Sequence, residues 1–293
     1  MSLPTPAYGE NAPPRGCFRH SDRPTYIVCQ RCSRPICTEC QTQAAVGVIC
    51  PECRREQRAA APRRSVKSYF RVAGTGTPVV TLTIIAVTFF VFLLQLIPGL
   101  GVTAALQYAP IYSFGEYANS GQAPYEPWRM LTSIFTHSPG FIFHILLNMY
   151  TLWIFGQILE SMLGRARYLT LYLTTGVAGS VGVMFLSSPT TAVVGASGAI
   201  FGLLGAFLVI QRKLGGNTTS LLILVGINLL MGFLPGLNVA WQAHLGGLIA
   251  GVLLGLVFVQ TRRIAQRRAQ LAWAGTIIVI VLYLAFSHAP IFI

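Results

Sequence analysis

Acidic side chains are scarce in this 293-residue chain, with eight Asp and Glu against 21 Lys and Arg. After Glu56 only Glu116, Glu126 and Glu160 remain, and no aspartate follows Asp22. Charged residues make up 10% of the chain and hydrophobic ones 53%, which excludes an ordinary soluble domain. Cysteine is absent after position 53: all seven lie at 17, 29, 32, 37, 40, 50 and 53. Long apolar runs are absent before about Val79. No secretory signal peptide is visible, because the Pro-, Gly- and charge-rich N-terminus has no apolar stretch. The chain thus divides into a polar, cysteine-bearing part and a long apolar part. Arg54 to Arg71, rich in Arg and Ala, reads as a basic linker between them.

A membrane-crossing helix needs roughly 20 mostly apolar residues. The sequence predicts seven such spans, at about 79–97, 140–158, 168–186, 192–210, 220–235, 241–259 and 271–287, the fifth of them short. This is the pattern of an all-α polytopic membrane protein. Seven spans put the termini on opposite sides. By the positive-inside rule the N-terminus is cytoplasmic: 20 of the 21 basic residues then face the cytoplasm, and Arg129 alone lies outside. The expected location is the plasma (inner) membrane, with the C-terminus on the outer side. This asymmetry already accounts for most of the +13 charge, so nucleic acid is not needed to explain it.

Polar residues inside a bilayer are costly and mark functional sites. Spans two, four and six all run from outside to inside. Each carries its unusual polar residues near its outer start: His144 and Asn148, then Ser197, then His244. Ser197 sits in Gly195-Ala196-Ser197-Gly198, and His244 in Ala243-His244-Leu245-Gly246-Gly247. His244, Gly247, Gly251 and Gly255 recur at spacings of three and four and share one helix face. Gly198 and Gly202 form a matching small-residue pair on span four. Such residues let two helix backbones approach closely, as a hydroxyl–imidazole pair on two spans requires. The three late glutamates fall in the first outer loop or at the inner end of span two, so no third member of a triad is available. The residues point to a Ser197–His244 dyad. Oxyanion donors would come from His144, Asn148 and the Ser197 and Gly198 N–H groups at a helix N-terminus. Ion-coupled transport lacks its usual parts, since no acid lies mid-span and spans one to six show no inverted repeat.

Trp128-Arg129, His144-Ile145-Leu146-Leu147-Asn148, Gly195-Ala196-Ser197-Gly198 and Ala243-His244-Leu245-Gly246-Gly247 with Gly251 occur in this order. Over about residues 79–287 the chain resembles the rhomboid family of intramembrane serine proteases. The resemblance implies a six-span core over 78–260, with the basic loop and seventh helix of 261–293 appended. It implies Ser197 as nucleophile, His244 as general base, and His144, Asn148 and the Ser197 amide around the oxyanion. The implied reaction is cleavage in or near the transmembrane helices of membrane proteins, with no catalytic cofactor. Phe201 stands where many members carry a tyrosine stacked on the histidine, so any hydrogen bond of that hydroxyl is lost. Trp128 and Arg129 are expected to anchor the first outer loop. His137 and His288 are expected to be interfacial residues with water access.

Residues 1–14 read as disordered, 15–56 as a zinc-binding domain and 57–77 as the basic juxtamembrane linker. The ligand pairs are Cys17 with His20, Cys29 with Cys32, Cys37 with Cys40 and Cys50 with Cys53. Eight ligands fit two closed tetrahedral sites, the structural zinc pattern. An odd cysteine count, a histidine partner and a reducing cytosol argue against disulfides. The spacing alone does not settle which pairs share an ion. It resembles a B-box type zinc finger, which implies that the first and third pairs share one zinc and the second and fourth the other. With two zinc ions and seven thiolates, residues 1–76 carry only about +4. A cytosolic protein partner is the expected use of the finger, and the linker arginines suit anionic lipid.

Overall fold

The computed structural model describes residues 15–44, 47–60, 76–234 and 239–288. The predicted disorder of 1–14 and most of the predicted linker lie outside the described residues. The chain forms two compact units, Met1–Ser65 and Val66–Ile293.

The first unit has almost no apolar interior. Among the described residues, its buried ones are six cysteines with Ile36 and Ile49. Two short antiparallel hairpins frame them. β1 (Arg15–Gly16) pairs with β2 (Pro24–Thr25), and β3 (Thr42–Gln43) pairs with β4 (Val48–Ile49). Helix α1 (Pro51–Ala60) closes the unit. Ser33 turns the chain after Cys32 at φ 57°, in the left-handed region, and its N–H donates to Cys29 O at 2.8 Å.

The second unit is helical. Its long elements are α2 (Val79–Gln95), α3 (Ile142–Leu163), α4 (Arg165–Leu186), α5 (Ser197–Lys213), α6 (Thr219–Leu230), α7 (Trp241–Gln260) and α8 (Arg267–Phe286). Among the described residues, four helices are long and apolar enough to cross a membrane alone: α3, α4, α7 and Ile264–Phe286. α2 and Thr219–Phe233 are apolar but shorter. α5, at 17 residues, is about 26 Å long. The predicted span four, 192–210, begins five residues before the helix does. Val193 instead pairs with Tyr108 as an isolated β-bridge, and Gly195 holds φ +123°. That backbone cannot continue a helix, so the first helical residue is Ser197. Span two runs later than predicted, to Leu163, which places Glu160 inside it.

Glycine sets how α4, α5 and α7 pack. A Cβ on Gly247 would land on the Gly198 carbonyl, and one on Gly251 on the Gly202 carbonyl. One on Gly255 would stand 2.8 Å from Ala206 Cα. The stripe on α7 therefore runs along α5 turn for turn, backbone against backbone. α4 completes the set: a Gly179 Cβ would stand 2.9 Å from Ala243 O, and one on Gly182 2.5 Å from Gln242 O. Close backbone approach is how helices associate where lipid removes the hydrophobic drive. Gly251→Val is expected to lower stability by about 3 kcal/mol or more, because backbone cannot yield as a side chain does. Gly275→Ala, which meets nothing within 4 Å, should be neutral or slightly stabilising. Thermal unfolding of the two variants in detergent checks the contrast.

Glu160 explains how α2 is held. Its carboxylate is buried and accepts the N–H groups of Val80 (2.9 Å) and Thr81 (2.8 Å) and the Thr81 hydroxyl (2.8 Å). A neighbouring helix thus caps the orphan donors of the α2 N-terminus with a negative charge, where the helix dipole favours one.

Candidate active site

Ser197 opens α5, so its N–H and that of Gly198 belong to the first turn, which has no intrahelical acceptor. The Ser197 side chain is half-buried and lines a small cavity with Gly195, Ser133, Ser180 and Ala243. His244 lies in the first turn of α7 and is 6% exposed. The α5–α7 backbone contact begins beside both residues, at Gly198 and Gly247. Phe201, one turn after Ser197, stacks on the His244 ring with centroids 4.0 Å apart and planes 8° from parallel. The imidazole is thus oriented by a ring face. Its Nδ1 is buried with no hydrogen-bond partner among the described residues.

Among the described residues, no acid bonds to this imidazole. Glu126 pairs with Arg129 at 2.5 Å, and Glu160 caps α2. Glu116 lies on the one-turn helix Gly115–Asn119.

His144 comes to the site from α3. A Cβ on Gly195 would stand 2.8 Å from His144 Nε2, so glycine is required there both for its φ and for the imidazole beside it. The Ser138 N–H donates to His144 Nδ1 at 3.4 Å. An Nδ1 that accepts leaves the ring proton on Nε2, the nitrogen beside Gly195. Asn148, one turn on, is buried, and its Nδ2 donates to His144 O at 2.7 Å. That bond uses one of two Nδ2 hydrogens.

Two peripheral expectations fare differently. Arg129 is a brace within the loop before α3: besides Glu126 it donates to Ala104 O and Gln107 O and lies 4.2 Å over the Tyr112 ring. Trp128 is exposed. His137, expected to be water-accessible, is instead fully buried, with both ring nitrogens unpartnered among the described residues. Burial, with His144 adding to it, pushes its pKa down to about 3, so it is neutral. The chain around it suggests an exposed turn; in the fold its backbone is bonded by Gln95, 42 residues earlier, and its ring packs against that of His144. His288 is exposed and anchors the end of α8, its carbonyl accepting the Gly115 N–H at 2.7 Å.

In the N-terminal unit the eight predicted ligands fall into two groups, Cys17, His20, Cys37 and Cys40, and Cys29, Cys32, Cys50 and Cys53. The ligand atoms in each group lie within 4.8 Å of one another. Cys32 Sγ is 3.8 Å from Cys50 Sγ, and Cys37 Sγ 3.4 Å from His20 Nδ1. Tetrahedral zinc with Zn–S near 2.3 Å sets sulfurs about 3.8 Å apart, so the donor set fits that metal. Burial raises the Cys17 thiol, but N–H donors from Cys37, Arg19 and His20 outweigh it and bring the pKa to about 6.

The Rhomboid domain family matches residues 124–261, the stretch that carries His144, Asn148, Ser197 and His244. YdcA of Bacillus subtilis (strain 168) is 40% identical over 150 residues, 49% of this chain and 73% of that protein. The chain belongs to the rhomboid family. Rhomboid protease GluP of the same organism is 37% identical over 190 residues, 63% of this chain and 36% of GluP. RHOMBOID-like protein 1 of Arabidopsis thaliana is 40% identical over 142 residues, 46% of this chain and 35% of that protein. The chain therefore spans about a third of the length of two of these relatives and most of the third.

Proposed function

We propose that this rhomboid-family protein is an intramembrane serine endopeptidase acting on transmembrane helices of membrane proteins. The reading rests on one observation above others. Ser197 opens α5 and His244 lies in the first turn of α7, and these two helices touch backbone to backbone at Gly198 and Gly247, with Phe201 of the serine's helix stacked on the imidazole. A hydroxyl is a weak nucleophile until a base takes its proton. In this reading His244 takes the Ser197 proton as Oγ adds to the substrate carbonyl carbon. The oxyanion that forms receives N–H donation from Ser197, Gly198, His144 Nε2 and Asn148 Nδ2. His244 then returns the proton to the departing amine, leaving an acyl-enzyme. Water resolves that ester by the same route in reverse. A substrate helix must unwind locally before attack, because its carbonyls are already hydrogen-bonded.

The basic residues orient the protein with the N-terminal unit in the cytoplasm and the Ser197 end opening on the opposite side. The N-terminal unit is read as a B-box-like finger with two closed structural zinc sites. With no open coordination position it supplies a scaffold for a cytosolic protein partner, not a catalytic metal.

The test is a fluorophosphonate serine-hydrolase probe applied to purified protein in detergent, with Ser197→Ala and His244→Ala in parallel. Labelling of wild type that disappears in both variants supports the reading. No labelling of folded wild type would replace it with a non-catalytic relative that binds membrane proteins.

A further inference from the structure

We propose that Gln95 is a positioning residue for this reaction, fixing the tautomer and direction of the oxyanion donor His144. The inference rests on the protease reading above. Gln95 is the last residue of α2 and lies 49 positions before His144. Its side-chain amide grips the backbone of residue 137 from both sides. Gln95 Oε1 accepts the His137 N–H at 3.0 Å, and Gln95 Nε2 donates to the His137 carbonyl at 2.8 Å. The second Nε2 hydrogen goes to Thr103 Oγ1 at 2.8 Å, which holds the amide plane itself in place. Among the amide's partners, then, the backbone of one loop residue takes both a donor and an acceptor, the pairing a β-strand neighbour would supply.

The residue after this clamp is the one that touches the imidazole. The Ser138 N–H donates to His144 Nδ1. Had this loop shifted, Nδ1 could carry the proton instead, and Nε2 would face Gly195 as an acceptor, repelling an oxyanion. The His137 ring packs on the same imidazole: fully buried, it has its centroid 5.0 Å from that of the His144 ring at a 57° tilt. It restrains that ring without competing for its nitrogens. Gln95, Ser138 and the His137 ring therefore act together on one imidazole, and Gln95 is the only one of them whose side chain reaches from another long helix.

The experiment uses the full chain in detergent with Gln95→Met, which keeps length and volume but removes both hydrogen-bonding groups. Gln95→Glu, whose carboxylate keeps only the acceptor, serves as the partial variant. Two readouts are taken: the 15N tautomer pattern of His144, assigned against His144→Gln, and the rate of fluorophosphonate labelling. Gln95→Met should shift His144 from the pure Nε2–H form to a mixture and slow labelling by about tenfold. That is a fraction of the ~10²–10³ lost when an oxyanion donor is deleted. With a helix substrate the fall should appear in kcat and leave KM unchanged. Gln95→Glu should lie between Gln95→Met and wild type. If Gln95→Met fails to fold, Thr103→Val, which frees only the third bond, should give a smaller fall in the same direction. Wild-type tautomer and rate in every folded variant would overturn the proposal. A tautomer shift in a protein that never labels would leave the clamp standing and defeat the protease reading, so the two failures are distinct.

Discussion

A transmembrane-helix substrate should remain uncut by Ser197→Ala, and His244→Ala should lower kcat/KM by about 10⁴–10⁶-fold, the range seen when a nucleophile or base is removed from a serine protease. The loss should come without loss of fold. Ser197 makes no side-chain hydrogen bond among the described residues that alanine would break, and the α5–α7 seam depends on Gly198, Gly202, Gly247 and Gly251. His144→Ala and Asn148→Ala should cost less, about 10²–10³-fold each, because each deletes one donor to a charge that exists only in the transition state. The ordering separates the roles. Among the described residues no carboxylate bonds the His244 Nδ1, so stacking on Phe201 must orient the ring. Phe201→Leu should accordingly reduce turnover even though it contributes no polar group. Initial rates on one substrate, reported beside the thermal midpoint of each variant, measure the series. Residual cleavage by Ser197→Ala, or equal losses in His144→Ala and His244→Ala, would break the assignment of roles.

Much of this site is visible in the chain because its cost is local. A serine between glycines and a histidine among apolar residues are expensive in lipid wherever they occur, and the three-and-four spacing of Gly247, Gly251 and Gly255 is a helix face before any fold is known. The structure pairs that face with Gly198, Gly202 and Ala206. What stays hidden is non-local. The start of α5 at Ser197 depends on pairing of Val193 with Tyr108, a partner 85 residues away. The share of α4 in the seam rests on Gly179 and Gly182, which read as ordinary small residues in an apolar run. Glu160 looks like a charge at a helix end, and its caps on Val80 and Thr81 appear only in three dimensions. His137 followed by Ser138-Pro139-Gly140 has the composition of a solvent-facing turn. In the fold the Gln95 amide bonds its backbone and its buried ring packs against that of His144. Spacing likewise leaves the grouping of the cysteine pairs open, and the folded chain sets the first with the third and the second with the fourth.

Removal of zinc should unfold the N-terminal unit completely and leave the helical unit intact. Two closed zinc sites would each contribute about 10–16 kcal/mol of apparent binding energy at neutral pH, and in so small a unit that energy would be folding energy. Little else opposes unfolding here. Among the described residues the buried aliphatics are Ile36 and Ile49, and every other core position is a cysteine. Segments this short rarely bury enough apolar surface to fold alone. The exposed ion pairs Arg23–Glu39, Arg34–Glu52 and Arg31–Glu56 add little. Metal analysis should return two zinc ions per chain, and Cys29→Ser should retain the ion held by Cys17, His20, Cys37 and Cys40. With a strong chelator, hydrogen exchange should lose protection across residues 15–60 while α3, α4, α5 and α7 keep theirs. Fluorophosphonate labelling of Ser197 should proceed unchanged, since its geometry is built within the second unit alone. One zinc per chain, or retained protection after chelation, would sink the two-site reading. Loss of labelling on chelation would mean that the finger controls the membrane site, a coupling that the two units' separate cores give no reason to expect.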